Sequence, residues 1–326
     1  MIAGRKLFLS FPIAACCVFI ALPGNAVEYP TKPIRFVVPF PAGGNTDILA
    51  RTIANSLSET WKQRLILDNR AGAGGGIGTE IVAKAPPDGY TILLGTIGSI
   101  SINPSLYKNL PYDPLRELAP ITLLSSNPLV ALVHPSVPVR SIQELIALAK
   151  AKPQSLNYGS GGSGTSTHLS VELFKSMAGI KATHVPYRGA PLAATSLMGG
   201  EISMMFDNLA PALPNIRYGR VRALAVTSAT RSSVLPGLPT VRESGLPGYA
   251  VTGWYGILVP AGTPAAIITK LNGDILAALK TQEVKNRLRN DGAEAIGSTP
   301  AAFSEYIKSE IKKWADVIRK SGARVD

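Results

Sequence analysis

Apolar residues along the chain fall into short blocks that alternate between two periods. Ile34 to Val38 is a continuous apolar run of buried-strand type, ended by Pro39. Phe40-Pro41-Ala42-Gly43-Gly44-Asn45 then reads as a loop, and from Thr46 the spacing of Ile48, Leu49, Ile53 and Leu57 predicts a helix. Leu65 to Leu67 predicts a second strand, running into the glycine-rich stretch Gly72 to Gly78 and a short helix to Lys84. Tyr90 to Leu94 predicts a third. Strand, loop and helix in repeated order point to parallel units covered by helices.

The pattern restarts after Pro120. Strands are expected over Ile121–Leu124, Leu129–Val133, Leu156–Tyr158, Ala182–Val185, Ile202–Phe206 and Val221–Val226. Between them, Ser141 and Glu144 form a capping box for a helix to Lys152. A second helix carries Leu169, Leu173, Phe174 and Met177 on one side, and a third runs from Pro191 to Met198. Pro236 to Gly248 is turn-rich and reads as a return linker. Ile257–Val259 gives one more strand, followed by helices over Pro264–Lys280, Gln282–Asn290 and Pro300–Lys320. These last helices have no sheet of their own and are expected to pack on the first lobe. The fold class is α/β: two lobes, each a mainly parallel sheet flanked by helices. Its segments are 1–26 as signal peptide, 27–127 as the first part of the first lobe, 128–249 as the second lobe, and 250–326 as the return to the first.

The leader rests on Arg5 and Lys6, an apolar run from Leu7 to Leu22, and the small-residue ending Gly24-Asn25-Ala26. Cleavage is expected after Ala26, which places the protein in the periplasm. Lipidation at Cys16 is the weaker reading. Cys16 and Cys17 both lie in this leader, so a mature chain would lack disulfides and cysteine chemistry. Losing Arg5 and Lys6 lowers the formal charge from +12 to +10. The basic residues are scattered rather than clustered with aromatics, which argues against nucleic acid and leaves anionic ligands or an anionic membrane surface.

Two loops stand where open α/β sheets bind ligands, beyond the carboxyl ends of strands. In Phe40, Pro41, Ala42, Gly43 and Gly44, the missing glycine side chains let backbone amides at a helix start approach an anion. Asp47 fits either helix-end electrostatics or a ligand or hinge role. The second loop runs from Ser160 to His168 and combines glycines with hydroxyls at another helix start. Thr96, Ser160, Ser163, Gly164, Thr165 and His168 are candidate ligand contacts. Tyr187 and Arg188 follow a strand end, where Arg188 offers a bidentate carboxylate contact or serves as a solvated or bridging arginine. Asp207 must meet a ligand donor, orient one, or cap the next helix. Gly72 to Gly78 either edges the cleft or shapes a turn.

Catalytic constellations are missing from the sequence. Neither glycine-rich run is followed by Gly-Lys-Ser/Thr, no Gly-x-Ser-x-Gly elbow surrounds Ser163, and the three histidines lack metal-pair spacing. No cofactor and no metal are expected. A hydrolase using Ser163 or Thr165 with His168 is the minor alternative, and a ligand-presenting sensor for a membrane signalling protein is another.

Taken together, Val38-Pro39-Phe40-Pro41-Ala42-Gly43-Gly44 with Asp47, Asn69-Arg70-Ala71-Gly72-Ala73-Gly74-Gly75, Pro87-Asp88-Gly89-Tyr90-Thr91, Tyr158 to Thr165 with His168-Leu169, and His184-Val185-Pro186-Tyr187-Arg188-Gly189 closely resemble the substrate-binding receptors of tripartite tricarboxylate transporters, the Bug-type proteins. The resemblance implies a Venus flytrap with a ligand between two lobes, no turnover, and delivery to a two-component membrane permease. It implies a first-lobe loop at Phe40 to Gly44 that holds a carboxylate through backbone groups. It also implies a ligand drawn from di-, tri- and monocarboxylates, acidic amino acids or aromatic acids, and a monomeric receptor. Many relatives carry an acid where Ser196 stands here.

Overall fold

The computed structural model describes residues 28–323 apart from Gln154 and Asp291, together with Met1, Ile2 and Gly4. The leader, its cleavage after Ala26 and both cysteines lie outside the described residues. Among the described residues, no helix is long and apolar enough to cross a membrane.

The first lobe begins with β1 (Ile34–Val38), α1 (Asn45–Trp61), β2 (Leu65–Asn69), α2 (Gly76–Ala83) and β3 (Thr91–Thr96). β1 pairs in parallel with β2 on one side and β3 on the other. A single π-helical turn, Ile97–Ile102, leads into α3 (Asn103–Leu106). The chain then enters β4 (Leu118–Val133), a 16-residue strand that serves both lobes.

The second lobe contains α4 (Ile142–Ala151), β5 (Asn157–Ser160), α5 (Ser166–Ala178), β6 (Thr183–Pro186), α6 (Ala190–Met198), β7 (Met204–Asn208), α7 (Leu209–Arg217) and β8 (Arg222–Val226). β5 lies parallel to both β6 and β7, whereas β4 runs antiparallel to β7 and β8. The chain returns through β9 (Thr252–Pro260), antiparallel to β3 and to the first half of β4. It ends with α8 (Ala265–Lys280), α9 (Gln282–Asn290), the short β10 (Glu294–Ala295) and α10 (Pro300–Ser321). Parallel strands thus carry the loops that lead into helices, and antiparallel β4 and β9 join them.

Two expected strands, Ile121–Leu124 and Leu129–Val133, are one strand. Pro128 reads as a breaker, but its missing N–H falls where β4 leaves β9 and takes up β7 and β8, so it interrupts neither ladder. α7 has no counterpart in the sequence reading because Pro211 and Pro214 obscure it. Pro211 sits in the first turn, where a helix needs no donor, and only Pro214 removes an internal bond.

Burial follows the two-residue period of strands. Ile34, Phe36 and Val38 face one core of the first lobe, and Val37 faces another. In β4, Val130 and Leu132 face one core of the second lobe while Leu129, Ala131 and Val133 face the opposite side. α8 and α9 cover the first lobe, as expected. α10 reaches further, touching the π-helical turn, α3, β4 and also α5 of the second lobe. Its Phe303 meets Trp254 edge-on at 5.5 Å between ring centroids, and Glu310 accepts from the indole nitrogens of both Trp254 and Trp314.

Candidate functional site

The loop after β1 turns at Gly43, whose φ of +83° suits glycine. Asp47 fastens this loop from below. Its carboxylate accepts from the Gly43 amide at 3.0 Å, from Arg51 Nε at 2.9 Å and from Asn69 Nδ2 at 3.3 Å. Burial opposes its charge, but these donors outweigh burial and hold its pKa below the usual carboxylate value. Asn69 also donates to the Phe40 carbonyl at 2.9 Å. No side chain caps α1, whose first residues stay turned to the space between the lobes.

The loop after β5 is built from its own hydroxyls. Thr165 accepts from the His168 amide and donates to the Gly162 carbonyl at 2.7 Å, capping α5. Thr167 accepts from the Gly161 amide, and His168 Nδ1 accepts from the Gly164 amide. The His168 ring points into the lobe, where it stacks on His184 at 4.1 Å. Burial pushes His168 down to about 4, and burial with the neighbouring His168 pushes His184 down to about 3. Within this loop the serine that meets a histidine is Ser160, fully buried, with its Oγ 2.7 Å from His184 Nε2. Ser160, Gly164 and His168 therefore shape the loop from behind.

Between the lobes lies a narrow inner pocket, with a cavity volume of about 50 Å³. Half of its wall is made of helix beginnings: Gly44, Asn45 and Thr46 at the start of α1, Ser166 and Thr167 of α5, Ala190 and Pro191 of α6, and Asn208 before α7. Thr96, Ile97 and Gly98 add the start of the π-helical turn. No lysine, arginine, aspartate or glutamate lines it. Four helix N-termini aimed into one space make it electropositive without a formal charge. The Thr46 and Ser166 hydroxyls line this pocket and have no hydrogen-bond partner within the described protein.

Tyr255 of β9 closes the pocket floor. Its hydroxyl accepts from Asn45 Nδ2 at 3.1 Å and donates to Asn208 Oδ1 at 3.3 Å, linking the first-lobe loop to the second lobe. Nothing local marked Tyr255, which sits inside an apolar strand run. Nor did any local motif mark Ile97 and Gly98, which start the π-helical turn, or Pro191 in the first turn of α6. Asp207 lies beside this wall, fully buried, with one oxygen accepting from the Asn208 amide at 2.8 Å. Burial raises its pKa to about 7.

An outer chamber of about 490 Å³ lies across Phe40, Pro41 and Gly161 from the inner pocket. Ser163, Tyr187 and Arg188 line it, as do the Gly72 to Gly75 loop and Tyr107. Of the residues expected at the site, Phe40, Pro41, Gly44, Thr96 and Thr165 line the inner pocket. Ser163, Tyr187 and Arg188 line the outer one, Gly43 and Asp47 support the first loop, and Ala42 and Asp207 are in neither wall. Ser196 donates to Glu201 at 2.6 Å, away from both.

Residues 49–323 match the model of the tripartite tricarboxylate transporter family receptor. The chain belongs to that receptor family. It is therefore a periplasmic solute-binding receptor serving a transporter of this type, and not an enzyme. It is 37% identical over 307 residues to protein BugT of Bordetella pertussis, covering 94% of each chain. The R. palustris protein Rpa4515, solved with adipate, superposes with a TM-score of 0.89 at 39% identity, covering 91% of this receptor and 100% of that chain. MatC of Rhodopseudomonas palustris, solved with bound malate, gives 0.85 at 32% identity, covering 89% and 100%.

Proposed function

We propose that the receptor captures a small organic acid by placing a carboxylate in the inner pocket, against the amides of the converging helix starts and the hydroxyls of Thr46 and Ser166. The observation that carries this is the wall itself: four helix N-termini, two unpartnered hydroxyls and no lysine, arginine, histidine, aspartate or glutamate. Such a wall stabilises one negative group and gives a cation nothing to pair with. The adipate and malate held by two similar proteins are of the same chemical class. Ligand contacts to both lobes favour the closed arrangement because they are made together only there.

Two features support lobe boundaries after residues 127 and 249. β4 changes partners between Pro128 and Leu129. Beside that point, Thr227 ties the two crossing segments together: its amide donates to the Leu129 carbonyl and its hydroxyl to the Val251 carbonyl at 2.7 Å. Residues 1–26 serve as the export signal in this reading, supported by their basic start, apolar run and small-residue end. The closed receptor then hands its acid to a two-component membrane permease.

A thermal-shift screen of mono-, di- and tricarboxylates on ligand-stripped protein, with bound acid released and weighed by mass spectrometry, tests the reading. Selected acids raise Tm and are recovered unchanged. Thr46→Val or Ser166→Ala weakens the best acid about tenfold or more, the scale of one lost hydrogen bond to a charge. Unchanged affinity in both variants would place the ligand elsewhere.

A further inference from the structure

The outer chamber has a charge character that the inner pocket lacks. Arg188 is its one lysine or arginine, and no carboxylate lines it. The guanidinium is exposed and makes no ion pair or hydrogen bond among the described residues. Nearby first-lobe arginines are committed: Arg35 and Arg70 both bind Asp68, and Arg51 binds Asp47. An unpaired cation in a concave wall draws anions toward it, because nothing of opposite sign cancels its field.

The partition between the chambers is a contact between lobes. Pro41 of the first lobe packs on Gly189 of the second so closely that a Cβ added at Gly189 would lie 2.7 Å from the proline Cγ. Gly161 and Phe40 complete the partition, since both chambers share them. Arg188 precedes Gly189 and lines only the outer side. A ligand enclosed in the inner pocket is thus separated from Arg188 by the Pro41–Gly189 contact, whereas a ligand arriving through the outer chamber must pass it.

We propose that the outer chamber is the entrance vestibule of this receptor and that Arg188 steers anionic ligands through it, acting on the rate of capture rather than on the complex once held. This rests on the carboxylate reading of the inner pocket. A charge at the rim of an interface changes the association rate and its salt dependence, whereas a charge bonded to the buried ligand changes dissociation.

Stopped-flow fluorescence with adipate, malate and benzoate as separate probes, on wild type, Arg188→Gln and Arg188→Lys, reads the two rates. In Arg188→Gln the association rate at low ionic strength falls about threefold for benzoate, the effect of one unit charge acting across about 6 Å of water, and up to about tenfold for the dianions adipate and malate. The deficit fades as salt shortens the Debye length, dissociation stays unchanged, and Arg188→Lys retains the wild-type rate. Faster dissociation at an unchanged association rate would overturn the proposal by placing Arg188 on the held ligand. Unchanged rates in both directions would overturn it as well. If wild type binds no acid of the thermal-shift screen, the carboxylate reading fails and the steering role falls with it, an outcome distinct from binding with unaltered rates.

Discussion

Asp207 and the His168–His184 pair pull the receptor's stability in opposite directions with pH. Asp207 titrates near 3.8 when unfolded and at about 7 when folded, so the folded state holds more protons between those values. Its contribution is present at low pH and is lost as pH rises toward 7. The histidines are buried neutral, with folded values of about 4 and 3 against 6.5 unfolded. Their contribution is present above 6.5 and is lost as pH falls through that window. Asp207→Asn is therefore expected to raise stability at pH 8 relative to pH 5, measured by urea unfolding at both. An unchanged pH slope in this variant would contradict the buried, protonatable Asp207. At this scale the sequence revealed residue types better than side-chain directions. Glycines and hydroxyls marked both loops, yet which of them face the ligand depends on packing. His168 looked available beside Ser163, but its ring is drawn inward to stack on His184 and to accept from Gly164.

Among the elements, β4 and the segments around it decide how the lobes are joined. Thr227 is fully buried and uses every polar group it has: the Leu129 amide donates to its hydroxyl at 2.9 Å, and the Val251 amide donates to its carbonyl at 2.9 Å. Thr227→Val keeps the shape but leaves the Leu129 amide and the Val251 carbonyl without this partner. The expected loss is about 2–4 kcal/mol in urea unfolding, from one to two buried polar groups left unpaired. Thr227→Ser, which keeps the hydroxyl, is expected to recover most of it. Equal stability of the valine variant would show that this knot does not hold the crossing segments. Strands and long helices were legible because their apolar spacing is local. The continuity of β4 and the helix α7 were not, because proline reads as a breaker until its missing N–H is seen to fall where no partner needs it.

Across the whole molecule, two α/β lobes place loop after loop at one shared opening. Parallel strands deliver helix starts there, which is why a chain with scattered basic residues can build an electropositive pocket without any of them in its wall. Tyr255, reaching Asn45 on one side and Asn208 on the other, joins the halves of that wall through a strand whose sequence gave no sign of it. The two-lobed plan was readable from alternating periodicities and the restart after Pro120. α10 spanning both lobes was not, since its apolar face is the same whichever partner it covers. The most direct test of the account compares, by titration calorimetry, the acid that binds best with its own primary amide. The account predicts that the acid binds and is recovered unchanged, and that the neutral amide binds at least about a hundredfold more weakly, the loss of two or so charge-assisted hydrogen bonds. Equal affinity for the acid and the amide would contradict it.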